Sequence, residues 1–149
     1  MRRLWVYKCN ATDPNNEGQG DWDYFFKKMR GRGRWGGTDC IFNPSSRQIL
    51  LEEMKKGDLV LAWQTDRRVA IGLCVVDLLQ IMGGEANIHL KKLMVFPGSV
   101  AILGHKKSSR ALAEGKAFVQ GKLGTLFETT PEEAQEIARL CGFSSQLGT

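Results

Sequence analysis

Hydrophobic and polar positions are most informative over residues 57–77, GDLVLAWQTDRRVAIGLCVVD. Leu59, Leu61 and Trp63 share one parity and Val60 and Ala62 the other. Val69, Ile71, Leu73 and Val75 alternate with Ala70, Gly72, Cys74 and Val76. Neither parity is polar, so the pattern predicts two adjacent strands covered on both faces. The polar break at 64–67 has hairpin length. Gly72, inside the second strand, predicts a bend, a bulge or a close backbone approach.

The rest of the chain is organised around this hairpin. Residues 3–9 (RLWVYKC) are rich in β-formers and predict a first strand. Residues 10–20 read as a loop from their Asn, Asp, Gly and Pro. Asp21 is placed to cap a short helix to residue 28, with Trp22, Phe25, Phe26 and Met29 at helical spacing. RGRGRWGG (30–37) holds too much Gly for a helix and reads as a loop. Ser45 and Gln48 have capping-box spacing for a helix over 45–56 that Gly57 stops. Residues 80–86 contain Gly83-Gly84 and predict a loop. A strand over 87–96 should end at Pro97-Gly98, followed by a short helix around 109–117 and a last strand over 123–128. The clearest local signature is TPEE (130–133): a Thr cap, Pro at the first helical position and acids behind it. Ala134, Ile137, Ala138 and Cys141 then form an apolar stripe up to Gly142. Five or six strands with helices around them predict one α+β domain over 1–149, built on a small curved sheet or partial barrel.

Composition adds limits. The chain has 149 residues, 42% hydrophobic and 25% charged, enough to bury a core unaided. No apolar run approaches the roughly 18 residues of a membrane span. Cys9, Cys40, Cys74 and Cys141 form no CxxC pair, which points to reduced thiols and a cytoplasmic setting, and His89 and His105 stand alone, so no metal or other cofactor is implied. The net charge of +5 is uneven: residues 1–37 carry eight Lys/Arg against four Asp/Glu, and 105–123 five against one. Such segments are either solvated loops or a surface for a polyanion.

Enzyme signatures are missing. There is no phosphate-binding loop, no GxSxG and no nucleophile–base pair visible from spacing. The aromatics say more. All four Trp (5, 22, 35 and 63) lie in the first half. Trp5 and Trp22 read as core. Trp35 is flanked by Arg30, Arg32 and Arg34 among glycines, and Trp63 sits where the hairpin opens. Both are open to core packing and to base stacking, which needs an aromatic face beside cations; stacking is the favoured reading for these two.

The order of LWVYK (4–8), Trp35, KKGDLVLAW (55–63), AIGLCVV (70–76) and GTLFETTPEEAQEI (124–137) resembles the EVE domain family, a PUA-like branch related to YTH domains, and most closely the EVE domains of modification-dependent restriction systems. The resemblance implies a PUA-like curved sheet and a pocket for a flipped, modified base, in DNA more than in RNA. It implies Trp35 and Trp63 as pocket aromatics, with one base between two indoles about 7 Å apart. Asn10 and Thr65 would read the base edge, and Asp66 would accept from an exocyclic amine. Arg30, Arg32, Arg34, Lys106, Lys107 and Arg110 would hold the backbone. An effector nuclease acting in trans is a further implied partner. Many family members carry a Ser-Gly turn where this chain has Gln64-Thr65-Asp66-Arg67. Two alternatives remain at this level: an RNA-binding PUA-like module, and a small hydrolase of modified nucleosides using Lys8, Thr65 or Glu128.

Overall fold

The computed structural model describes residues 1–12, 20–35, 52–82, 85–118 and 126–148. Six strands form one mixed sheet: β1 (Leu4–Cys9), β2 (Arg32–Arg34), β3 (Leu59–Gln64), β4 (Val69–Met82), β5 (Glu85–Val100) and β6 (Leu126–Glu128), in the order β2-β5-β4-β3-β1-β6. β1 and β3 are parallel, with Leu4 opposite Leu59 and Cys9 opposite Gln64; the other neighbours are antiparallel. β2 and β6 stand at the two ends of the order, so the sheet is open rather than a closed barrel.

The missing polar parity has the expected consequence, a core on each face. Val60 and Ala62 join Trp5, Tyr7, Cys74 and Val76 in the first core, under Trp22, Phe25, Phe26 and Trp35. Leu59, Leu61 and Trp63 join Leu4, Val6 and Leu73 in the second, under Phe118, Ile137, Ala138 and Phe143. The second layer is built from two helices, α1 (Arg110–Glu114) and α2 (Pro131–Cys141). Ser109 Oγ accepts from Leu112 N–H at 3.3 Å and Thr130 Oγ1 from Glu133 N–H at 3.1 Å, which caps them.

Four expectations change. RGRGRWGG is not all loop: its centre pairs with β5 as the edge strand β2. Residues 80–86 are largely strand, since β4 runs to Met82 and β5 starts at Glu85. Pro97-Gly98 does not end β5. Gly72 faces Val95 and Ala70 faces Val100, so residues 96–99 form a bulge in which no ladder hydrogen bond is asked of Pro97. The helix predicted over 21–28 becomes a π-type turn at Tyr24–Lys28, whose wider coil turns Phe25 and Phe26 together into the first core. Asp21 does not cap the turn itself, whose cap position is Asp23, but its Oδ1 accepts from Asp23 N–H at 2.9 Å just ahead of it. The helix expected from Ser45 lies mostly outside the described residues, and so does Cys40.

Gly72 meets the close-approach prediction. A Cβ there would stand 2.7 Å from both the Met94 carbonyl oxygen and Phe26 Cζ. Gly72→Ala should therefore destabilise by about 1–3 kcal/mol, read as a lower urea midpoint with unchanged m-value.

Candidate nucleic-acid interface

The parallel strands β1 and β3 end side by side, and a network of short polar contacts is built on those ends. Gln64 is fully buried. Its Oε1 accepts from Trp22 N–H at 2.9 Å, while Nε2 donates to the Gly20 carbonyl at 2.8 Å and to Asp66 Oδ1 at 2.6 Å. Asp66 Oδ1 also accepts from Ala11 N–H at 3.0 Å, and Thr65 N–H donates to the Cys9 carbonyl at 2.7 Å. Asn10 Oδ1 accepts from both N–H and Oγ1 of Thr12, at 3.0 and 2.7 Å. Arg67 pairs with Asp23 at 2.8 Å. Burial alone would raise the Asp66 pKa, but the bonds from Gln64 and Ala11, with Arg67 nearby, hold it below its ordinary value. The hairpin turn, the end of β1 and the start of the π-type turn are thus one unit, and Asn10, Thr65 and Asp66 lie in it.

That unit leads directly to the aromatics of the first core. Trp22 and Trp35 are fully buried, with ring centroids 5.1 Å apart and planes 30° from parallel. Phe25 meets Trp22 at 5.5 Å and Trp35 at 5.4 Å. The buried indoles differ in one respect. Trp5 donates to Asp58 Oδ2 at 2.9 Å and Trp22 to the Tyr7 carbonyl at 3.2 Å, but Trp35 Nε1 has no acceptor among the described residues.

Trp63 lies elsewhere. It is 3% exposed, belongs to the second core on the opposite face of the sheet, and meets Phe118 edge-on at 4.8 Å. Trp35 and Trp63 therefore do not face one another; the sheet runs between them, because odd positions of β3 point away from the Trp22 layer. The indole beside Trp35 is Trp22, read from sequence as core alone, and its 5.1 Å spacing is contact rather than the separation for a base.

The predicted backbone-binding residues also divide. Arg30, Arg32 and Arg34 are exposed on and before β2, with Arg32 opposite Lys91 and Arg34 opposite His89, and Arg34 Nη1 3.4 Å from Asn87 Oδ1. Lys106, Lys107 and Arg110 lie in and before the helical layer of the second core. Lys106 Nζ donates to the Phe118 carbonyl at 3.1 Å and Arg110 pairs with Glu114 at 2.8 Å, so two of these three are already engaged. Of the residues considered for hydrolysis, Glu128 is held by Arg3 through two bonds of 2.7 and 2.8 Å. Glu128 faces Trp5, so Lys8 is three residues, about 10 Å, further along β1. Lys8 Nζ sits over the Phe127 ring at 4.4 Å.

Glu133, read from sequence as a helix-start acid, is that and is also fully buried. Among the described residues neither carboxyl oxygen has a well-aligned hydrogen-bond partner, and the carboxyl group occupies the space a Cβ on Gly115 would need. Burial pushes its pKa up; the nearby N–H groups of Thr130 and Ala117, and Lys106 and Lys8, pull the other way without reversing it. A raised folded-state pKa stabilises below the unfolded pKa, and that stability is lost as pH rises through the folded value. Glu133→Gln should therefore raise the thermal midpoint at pH 7, by about 1 kcal/mol, and the gain should vanish in acid. Thermal melts of both proteins at pH 4 and 7 check this.

Among the described residues no group of three or more His, Cys, Asp or Glu is placed to hold a metal ion, and no helix is long and apolar enough to cross a membrane. Cys9, Cys74 and Cys141 are buried, and burial pushes the Cys141 thiol up to about 12.

No protein-family model matches the chain, and no curated protein is similar enough to match. Solved structures do. Protein Atu2648 from Agrobacterium tumefaciens is similar with a TM-score of 0.70 at 18% identity, over 99% of this chain and 98% of that one. Human THYN1, solved in complex with DNA containing 5-methylcytosine, is similar at 0.67 and 12% identity, over 99% of both chains. The DUF55 domain of human thymocyte nuclear protein 1 gives 0.65 and 12%, over 96% of this chain and 98% of that domain. The curved, PUA-like α+β fold is thus shared from end to end with these proteins.

Proposed function

We propose that this chain is a nucleic-acid-binding module that recognises a modified base, in DNA rather than RNA, by accepting it flipped from the stack. The observation that carries this reading is Trp35: a fully buried indole, in contact with Trp22, whose N–H has no acceptor among the described residues. A buried donor without a partner costs about 1–3 kcal/mol, and an entering base carbonyl or ring nitrogen would satisfy it. The base enters by parting Trp35 from Trp22, to about 7 Å, and stacks there. Asn10, Thr65 and Asp66 read its edge. Asn10 and Asp66 each have Oδ1 already occupied, which leaves an amide donor on Asn10 and one carboxylate oxygen on Asp66. A donor beside an acceptor suits the amino-bearing edge of a cytosine or adenine. The likeness to human THYN1, whose DNA complex contains 5-methylcytosine, supports the choice of a modified cytosine as first ligand. Binding, not turnover, is the function in this reading, in a reducing cytoplasmic setting that suits the buried thiols, with the whole of 1–149 acting as one unit.

The test is a titration with short duplexes, identical except for one modified cytosine or adenine, against the unmodified duplex and single-stranded RNA. Tighter binding of one modified duplex is the expected result. Equal affinity for all duplexes ends the reading, and preference for the RNA replaces it with an RNA-binding module. Trp35→Phe keeps an aromatic ring but removes the donor; it should weaken discrimination by about tenfold while leaving the unmodified background unchanged.

A further inference from the structure

The net charge of +5 is concentrated on one edge of the sheet that the sequence splits into distant pieces. Residues 24–35 and 86–100 together hold seven Lys/Arg and no Asp/Glu, so the remainder of the chain carries 14 Lys/Arg and 16 Asp/Glu, a net −2. The π-type turn leads through Arg30 and Gly31 into β2, and β2 pairs with β5. Arg32 stands opposite Lys91, and Lys92 N–H donates to the Gly31 carbonyl at 2.6 Å. Lys27, Lys28, Arg30, Arg32, Lys91 and Lys92 are all exposed. Among the described residues, the ion pairs are Arg3–Glu128, Arg67–Asp23, Arg110–Glu114 and Arg139–Glu136, and none of these six cations takes part in one. Asp23 is engaged by Arg67, and Asp77, which β4 places between the partners of Leu90 and His89, takes part in none of these ion pairs.

Arg32 and Lys91, opposite each other, and Lys92, next to Gly31 on the other face of β5, form a rim of like charge with no ion pair among the described residues, and such a rim favours a polyanion. Arg30 sharpens the point. Its φ is 58°, a left-handed conformation that favours Gly or Asn, yet it carries a long cationic side chain at the tip of the turn. In the helical layer behind the second core, Lys106 is bonded to the Phe118 carbonyl and Arg110 is paired with Glu114 on the surface.

We infer that the β2–β5 edge, through Arg30, Arg32, Lys91 and Lys92 with Lys27 and Lys28 beside them, is the track for the phosphodiester backbone flanking the bound base. The helical face bearing Lys107 stays out of contact. This rests on the reading of the chain as a nucleic-acid-binding module, and it names the surface and the chemistry: phosphate contacts that set affinity and register and carry no base information.

The experiment measures binding of a short duplex, with and without one 5-methylcytosine, across a salt series for the full chain and three variants. Each phosphate contact contributes about 0.9 to the slope of log K against log salt on duplex DNA. The double variant Lys91→Ala/Lys92→Ala should lower the slope by about 2, and Arg30→Gly by about 1, equally for both duplexes. Lys107→Ala should change nothing. Arg30→Gly removes charge and backbone strain together, so its thermal midpoint should equal or exceed the wild type's while binding weakens. Slopes indifferent to the edge variants overturn the inference, and so does a loss of slope in Lys107→Ala of the same size. Edge variants that abolish binding to phosphatidylserine vesicles but not to duplex overturn it as well, in favour of a membrane-facing edge. The two proposals fail separately. If the edge variants lose slope while the wild type ignores the methyl group, the track stands and modified-base reading falls. If discrimination persists with unchanged slopes, the track falls alone.

Discussion

Trp63→Ala is expected to remove about 3–5 kcal/mol of folding stability, the usual loss for emptying a buried aromatic site. Trp63 is 3% exposed and its ring fills the second core between Leu61, Leu73 and Phe118. Total stability for a domain of this size is about 5–15 kcal/mol, so the variant keeps only a fraction of it. Trp63→Phe, which leaves a ring against Phe118, should lose less and stay folded at room temperature. Two measurements separate core from pocket. Urea melts give the stability loss. Duplex binding of the folded Trp63→Phe protein gives the preference for a modified base, which should match wild type. A Trp63→Phe protein of native stability with lost preference would move the pocket to the other face. The matching change at Trp35 should act the other way round, with discrimination falling more than fold occupancy, because Trp35 carries the orphan N–H next to Trp22.

The difference between these two tryptophans explains how far the sequence could be read. Local signals were legible wherever short-range physics decides them. The two apolar parities of β3 predicted a core on each face, TPEE predicted the cap of α2, and Gly72 predicted a close approach that proves to be with Phe26 and the Met94 carbonyl. What parity cannot tell is which face a distant segment covers. Trp35 and Trp63 both look like aromatics at the rim of something polar, but only the pairing of β2 with β5 puts Trp35 over the even positions of β3. The same pairing brings Lys91 beside Arg32 across nearly 60 residues of sequence, so charge counted in consecutive windows spread the excess over 1–37 and 105–123 instead of finding one edge. Lys106 was misleading because the Phe118 carbonyl engages it, whereas the Arg110–Glu114 pair is an i,i+4 contact within α1 that the sequence already offered. The length of β5 was hidden by Pro97-Gly98, a breaker in a regular ladder but tolerated in a bulge.

Gln64→Leu should be the most damaging single change to the candidate site that leaves every aromatic in place. The turn that begins at Gln64 is where the chain departs from the EVE pattern, and Gln64 is what the departure is built on. Leu matches its bulk but returns none of its three bonds. Trp22 N–H and the Gly20 carbonyl lose their partners, at about 1–3 kcal/mol for each such group that stays buried. Asp66 loses the bond that does most to offset the effect of burial on its carboxyl, so its pKa should climb toward the ordinary carboxylate value. A depressed folded pKa stabilises above the unfolded pKa, and that stability is lost as pH falls through the folded value; the variant should therefore lose less stability than wild type over that acid range. An NMR titration of Asp66 and urea melts at pH 3 and 7 follow both effects. Functionally, the bond to Trp22 is what ties the aromatic layer to the polar turn, so the base-stacking and edge-reading groups should lose their common register. Preference for a modified base should fall in Gln64→Leu while the salt dependence set by Arg32, Lys91 and Lys92 persists. If Asp66 titrates as in wild type and the preference is intact, Gln64 is an ordinary buried amide and the polar turn is held by the Ala11 and Cys9 backbone alone.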